Sequence, residues 1–178
     1  MILKYYIIDN RMELIDATNN NNIAEVQRLI SDGVDLDFKG GLFNDTALIE
    51  ASRRGHDEIA RILIEAGANL NIKNDYEETT LIVAARNGRY NIARFLIEGG
   101  ANLDFQDDDD NTALIEAVNY RNDNIARILI ENRALLDYKG AYGNTALMLA
   151  AANNNYNIAR ILIENYANLD LENDEGNT

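Results

Sequence analysis

The 178-residue chain has no cysteine, no proline and no tryptophan, and its single histidine is His56. Without cysteine there is neither a disulfide nor a thiolate metal site, and nothing in the composition points to an oxidising compartment. One histidine and two serines, Ser31 and Ser52, leave too little to assemble a catalytic triad. A Gly-x-x-x-x-Gly-Lys phosphate loop and a His/Glu metal constellation are both missing. No apolar run approaches the roughly 18 residues needed to cross a bilayer. Basic residues are also scarce: 16 Lys and Arg stand against 30 Asp and Glu, a net charge of −14. Within a Debye length, about 8 Å at physiological salt, such a chain repels duplex DNA and anionic lipid. It favours a basic partner, although the same charge also keeps an apolar-cored array in solution.

What is present is a globular composition, 47% hydrophobic, of a size that fits one domain. The opening stretch Met1–Asp9 is apolar but short. It carries one lysine, lacks a small-residue cleavage site and runs into Asp9 and Arg11, so it reads poorly as a signal peptide. A soluble, cytoplasmic chain is expected.

Self-similarity dominates the rest. Thr46, Thr79, Thr112, Thr145 and Thr178 follow one another at intervals of 33 residues, each preceded by Asp, Glu or Asn. The first four open Thr-Ala-Leu-Ile, Thr-Thr-Leu-Ile, Thr-Ala-Leu-Ile and Thr-Ala-Leu-Met. In the same phase run Ile59–Glu65, Ile92–Glu98, Ile125–Glu131 and Ile158–Glu164, all of the form Ile-Ala-Arg-(Ile/Phe)-Leu-Ile-Glu. A third block follows, Ala68-Asn-Leu-Asn71, Ala101-Asn-Leu-Asp104, Ala134-Leu-Leu-Asp137 and Ala167-Asn-Leu-Asp170. A degenerate copy leads them: Arg11–Thr18 aligns with Asp45–Ser52 at an offset of 34, the extra residue falling at Gly40-Gly41. The spacing divides the chain into an extension at 1–10, a leading unit at 11–44, full units at 45–77, 78–110, 111–143 and 144–176, and the opening of another at 177–178.

Each unit reads as two short helices and a turn. A Thr after Asp, Glu or Asn is an N-cap signal. Ala47, Leu48, Ala51 and Ser52 share one helical face, and Ile59, Ile62 and Leu63 form the apolar stripe of the next helix. Gly55 and Gly88 break the chain between helices, and Gly67 and Gly100 stand where a left-handed C-cap is wanted. The polar stretch before each Thr reads as a projecting hairpin. This unit resembles the ankyrin repeat over residues 11–178. The resemblance implies an all-α solenoid of stacked helix–turn–helix units with projecting hairpin turns, a protein-binding role, no cofactor and no metal. The departures are Thr-Ala-Leu-Ile in place of Thr-Pro-Leu-His, Arg121 and Asn154 for the interhelix glycine, and Arg133 and Tyr166 for the C-cap glycine. Arg and Tyr enter the left-handed region less readily, which predicts a less stable carboxyl-terminal half.

Recurring residues are scaffold, so exposed positions that vary are candidates for contact. Arg61, Arg94, Arg127 and Arg160 recur with a Glu four residues on and read as surface ion pairs worth ~0.2–0.5 kcal/mol each. Late in the first helices stand Arg53, Arg54, Arg86 and Tyr120, with Arg89 beyond the glycine, at the phase that in ankyrin folds faces the concave groove. Two readings stay open for these arginines: a basic patch for an acidic strip on a partner, or cations solvated beside Glu50 and Asp57. At the hairpin tips Phe43, Tyr76 and Tyr142 are aromatic, suited either to contact or to folding back on the next hairpin. Phe38, Ile72, Phe105, Tyr138 and Leu171 recur as apolar and are assigned to hairpin packing. The run Asp107–Asp110 lacks Ca²⁺-loop spacing and reads as a solvated acidic turn. The expected function is therefore a non-catalytic, monomeric scaffold for a protein partner, with no nucleic acid and no membrane. The alternatives are a spacer in a longer array, or an acidic mimic of nucleic acid.

Overall fold

The computed structural model describes residues 12–178; the extension assigned to 1–10, and Arg11, lie outside the described residues. Helical residues 12–19 (α1) and Ile23–Ser31 (α2) form the leading pair. Four more pairs follow: Ala47–Arg54 (α3) with Asp57–Glu65 (α4), Thr80–Arg86 (α5) with Tyr90–Glu98 (α6), Ala113–Asn119 (α7) with Asp123–Glu131 (α8), and Ala146–Ala152 (α9) with Tyr156–Glu164 (α10). First helices stack on first helices and second on second, while each pair packs internally. One continuous core lies between the two layers. Its floor is the repeat itself: Leu48, Leu81 and Leu114, Ile59, Ile92, Ile125 and Ile158, and Leu63, Leu96, Leu129 and Leu162 are all buried. Fully burying such a side chain stabilises by ~1.5–3 kcal/mol.

The threonines begin the first helices as the sequence predicts. Thr46, Thr79, Thr112 and Thr145 are extended N-caps whose Oγ1 accepts from the amide of Ile49, Ile82, Ile115 and Met148. Asn22 and Asn155 cap α2 and α10 in the same way, but the second helices between them start differently. Arg89 and Asn122 occupy the N-cap positions of α6 and α8 without capping them. Their side chains reach back instead to the end of the preceding first helix. Arg89 Nη2 donates to the Arg53 carbonyl at 3.2 Å, and Asn122 Nδ2 donates to the Ala85 carbonyl at 2.7 Å. A cap within a unit is exchanged for a tie between units.

The third block ties units in the same way. The carboxylate or amide oxygen of Asp37, Asn71, Asp104 and Asp137 accepts the backbone amide of Asn69, Asn102, Leu135 and Asn168, one unit on. The hairpins close through Asn74 N to Glu78 O, Asp107 N to Asn111 O, Gly140 N to Asn144 O and Asn173 N to Asn177 O. The first spans one residue more, Gly40 N to Asp45 O, so the inserted residue lies within that hairpin. The described hairpins hold only isolated bridges, Gly40 with Asp45 and Gln106 with Thr112. Successive tips are joined by amides of Asp75, Asp108 and Asp174 donating to the carbonyls of Phe43, Tyr76 and Tyr142.

Left-handed backbone recurs whether or not glycine supplies it. The C-cap phase has φ of 78°, 90°, 82°, 67° and 67° at Gly33, Gly67, Gly100, Arg133 and Tyr166. The interhelix phase is likewise positive at Gly55, Gly88, Arg121 and Asn154. Packing of the stack overrides local preference here, and the substituted residues carry the cost.

Candidate functional site

The last turns of α3 and α5 deliver Arg53 and Arg86 to the base of the hairpins. There they meet four buried carboxylates: Asp45 and Glu78 before the capping threonines, Asp107 at the start of a hairpin, and Glu116 in the first turn of α7. Arg86 uses all three guanidinium nitrogens. Nε donates to Glu116 at 2.6 Å, Nη2 to Asp107 at 2.8 Å and Nη1 to Glu78. Arg53 donates through Nε and Nη2 to Asp45 Oδ2 at 3.0 and 2.8 Å, and Nη2 stands 3.4 Å from Glu78. Amides complete the shell: Asn74 Nδ2 donates to both Asp45 and Glu78, and Asn111 Nδ2 to Glu116. Charge-assisted, multidentate contacts of this kind are the ones that offset the cost of burying carboxylates.

The electrostatics are lopsided. Burial disfavours the charge on Arg86, yet Glu116, Glu78 and Asp107 together raise its proton affinity above the ordinary range. Arg53 is raised against the same opposition by Asp45 and Glu78. Asp107 is pushed up: burial is the main cause and nearby Glu116 adds to it, against lowering by backbone amides of Asn111 and Asp109 and by Arg86.

Above this network lies a shallow recess of about 220 Å³ bounded by Phe43, Tyr76, the two arginines and Asp107–Asp109. The Phe43 and Tyr76 rings touch, with centroids 5.4 Å apart, and the Arg53 guanidinium lies 5.6 Å from the Phe43 centroid. At this tip pair the aromatics fold onto one another, yet Tyr76 stays half exposed.

The structure thus brings Phe43, Arg53, Tyr76 and Arg86 together and leaves four predicted residues elsewhere. Arg54 pairs with Glu50 at 3.2 Å and donates to Asn19. Arg89 lies against Gly55, where an added methyl carbon would stand 3.0 Å from its guanidinium. Tyr120 ends α7 half exposed, and Tyr142 stands on its tip with a left-handed backbone and an open ring. Two expectations need correction. Arg53 and Arg86 are not solvated beside Glu50 and Asp57; they are bound to Asp45, Glu78, Asp107 and Glu116. The acidic turn is solvated at Asp108–Asp110, but Asp107 is buried because its carboxylate accepts from Arg86 and from the amides of Asp109 and Asn111. The buried carboxylates were missed: the phase of Glu116 is acidic at Glu50 as well and apolar at Val83 and Leu149, so the repeat pattern does not single it out.

Residues 14–107 and 97–173 match the family model described as ankyrin repeats in three copies. The chain belongs to the ankyrin repeat family. Ankyrin repeats generally mediate protein–protein interaction. A putative ankyrin repeat protein of fowlpox virus is 40% identical over 65 residues, 36% of this chain and 15% of the viral one. The mitochondrial disaggregases of Bos taurus and Homo sapiens are each 36% identical over 63 residues, 35% of this chain. The match spans only 9% of each disaggregase. Among the described residues, no helix is long and apolar enough to cross a membrane, and no group of three His, Cys, Asp or Glu is placed to hold a metal ion.

Proposed function

We propose that this ankyrin stack is a non-catalytic scaffold that holds a protein or peptide partner along the groove face of its first helices and its hairpin tips. One observation carries the reading. Once the recurring residues are accounted for as caps, core and ties, large aromatic side chains remain exposed on the first helices and tips, Tyr76 at 50%, Tyr120 at 54% and Tyr142 at 79%, while Tyr156 and Tyr166 are exposed on and beside the last second helix. Exposed aromatics on a rigid frame are the usual anchors of an interface, since they bring large contact area at low entropic cost. The rigid frame is supplied by the inter-unit ties and the buried Arg–carboxylate network beneath Tyr76. A catalytic reading lacks residues to carry it: His56 is the sole histidine and sits in an interhelix turn.

The test places a photo-crosslinking phenylalanine analogue at position 76 and, as a control, at position 127 on a second helix. Irradiation in a lysate of source or host cells is expected to give a discrete, competable adduct from position 76 and none from 127. Equal labelling from both positions would sink the proposal.

A further inference from the structure

We propose that the recess between the Phe43, Tyr76 and Asp109 tips takes a lysine or arginine side chain of the partner, so that the segment bound there is basic. This deepens the scaffold reading and rests on it. Three observations point to a cation. First, the charges around the recess do not balance: Asp45, Glu78, Asp107, Glu116, Asp108 and Asp109 gather about only Arg53 and Arg86. Second, the place already holds cations in the manner required. Arg53 lies over the Phe43 ring while bonding Asp45, an aromatic face and a carboxylate serving one guanidinium. Tyr76 with Asp108 and Asp109 repeats those ingredients one step toward solvent. Third, the Asp108 and Asp109 carboxylates are exposed and make no hydrogen bond or ion pair among the described residues. An anionic group is the poorer occupant. All three guanidinium nitrogens of Arg86 already donate, and the surrounding field is negative. A cation would also ease the burden on Asp107, whose carboxyl burial and Glu116 already push up.

The experiment titrates the full chain with acetylated, amidated hexalysine and, separately, hexaglutamate near physiological salt, following heat and ¹⁵N amide shifts. The test variant is D108N/D109N, which touches no bonded carboxylate. The control is E131Q/E164Q, which removes the same charge from the second helices. Hexalysine is expected to bind with shifts centred on Tyr76, Asp108 and Asp109, and to weaken about tenfold in the test variant while changing less than about twofold in the control. Equal weakening in both variants reduces the effect to general attraction and overturns the proposal. Saturable hexaglutamate binding at Arg53 and Arg86 overturns it in favour of an acidic partner. Undiminished binding of the position-76 adduct partner to D108N/D109N also overturns it, while the scaffold reading stands.

Discussion

At the scale of single residues, the same residue type does unrelated jobs at different depths. Arg61 sits on an exposed helix face between Glu58 and Glu65, at 2.7 and 2.8 Å, and is more than two-fifths exposed. Water screens that pair, and Arg61→Ala is expected to leave the midpoint of a denaturant titration almost unchanged. Arg86 holds three carboxylates that are nearly sealed from solvent. Removing it strands those charges, so Arg86→Ala is expected to lower stability by roughly 3–5 kcal/mol. A loss below ~1 kcal/mol would mean that the network opens to water without penalty. Tyr166 illustrates a different cost. Its ring is 93% exposed and its φ is 67°, so it contributes little burial while holding a backbone that glycine adopts freely. Tyr166→Gly is therefore expected to raise stability by about 1 kcal/mol, measured by the same titration.

At the scale of the element, the turn between helices explains more than its sequence suggests. Gly88 reads as a helix breaker, but its other constraint is the next unit. A methyl carbon there would stand 2.7 Å from Asn122 Oδ1, whose amide ties α8 back to the end of α5. Gly88→Ala is expected to cost about 1–3 kcal/mol, and the cost is expected to fall when Asn122 is also replaced by Ala, since one of its two causes is then gone. Purely additive losses in the double variant would show that only the left-handed φ matters. The hairpin adds a pH effect. Because the folded pKa of Asp107 lies above its ordinary value near 3.8, the folded chain holds a proton that the unfolded chain releases. That contribution is present in full below the ordinary value and is lost as pH rises through the folded one. Asp107→Asn copies the residue at Asn74, which keeps both amide bonds and also donates to carboxylates. Stability of wild type relative to this variant is expected to fall as pH rises from about 3.8 toward neutrality. A flat difference would remove the claim. The helices, caps and left-handed phases were legible because a 33-residue period makes each unit a control for the others. The site was only half legible. The partners of Arg53 and Arg86 lie 8, 21, 25 and 30 residues away, and such pairings depend on how units stack.

At the scale of the whole molecule, a stack of units is held by the intrinsic stability of each and by the interfaces between neighbours. Those interfaces are unequal. Between the units that begin at Thr46, Thr79 and Thr112 run two arginines, four buried carboxylates and the Arg89 and Asn122 ties. Toward the carboxyl terminus the arginine–carboxylate network ends, and the bases of the last two hairpins are joined instead by an Asn173–Asn144 bond at 2.9 Å. The backward tie changes as well, since Arg121 and Asn154 bring side chains to the interhelix phase and Asn155 bonds Asp123 rather than a helix-end carbonyl. Arg133 and Tyr166 add left-handed backbone without glycine. The lost arginine–carboxylate network and the left-handed backbone without glycine point the same way, against the Arg121 bond to the Asn153 carbonyl at 3.2 Å, and the array is expected to open from its carboxyl-terminal end, locally and before global unfolding. Amide hydrogen exchange is expected to show α9 and α10 exchanging faster than α3 to α6. The gap is expected to narrow in an Arg133→Gly/Tyr166→Gly variant, because only the backbone cost has been lifted. Equal protection in both halves of the native chain would show that the stack is cooperative enough to average its interfaces, and the gradient would then have no place in the function of the array.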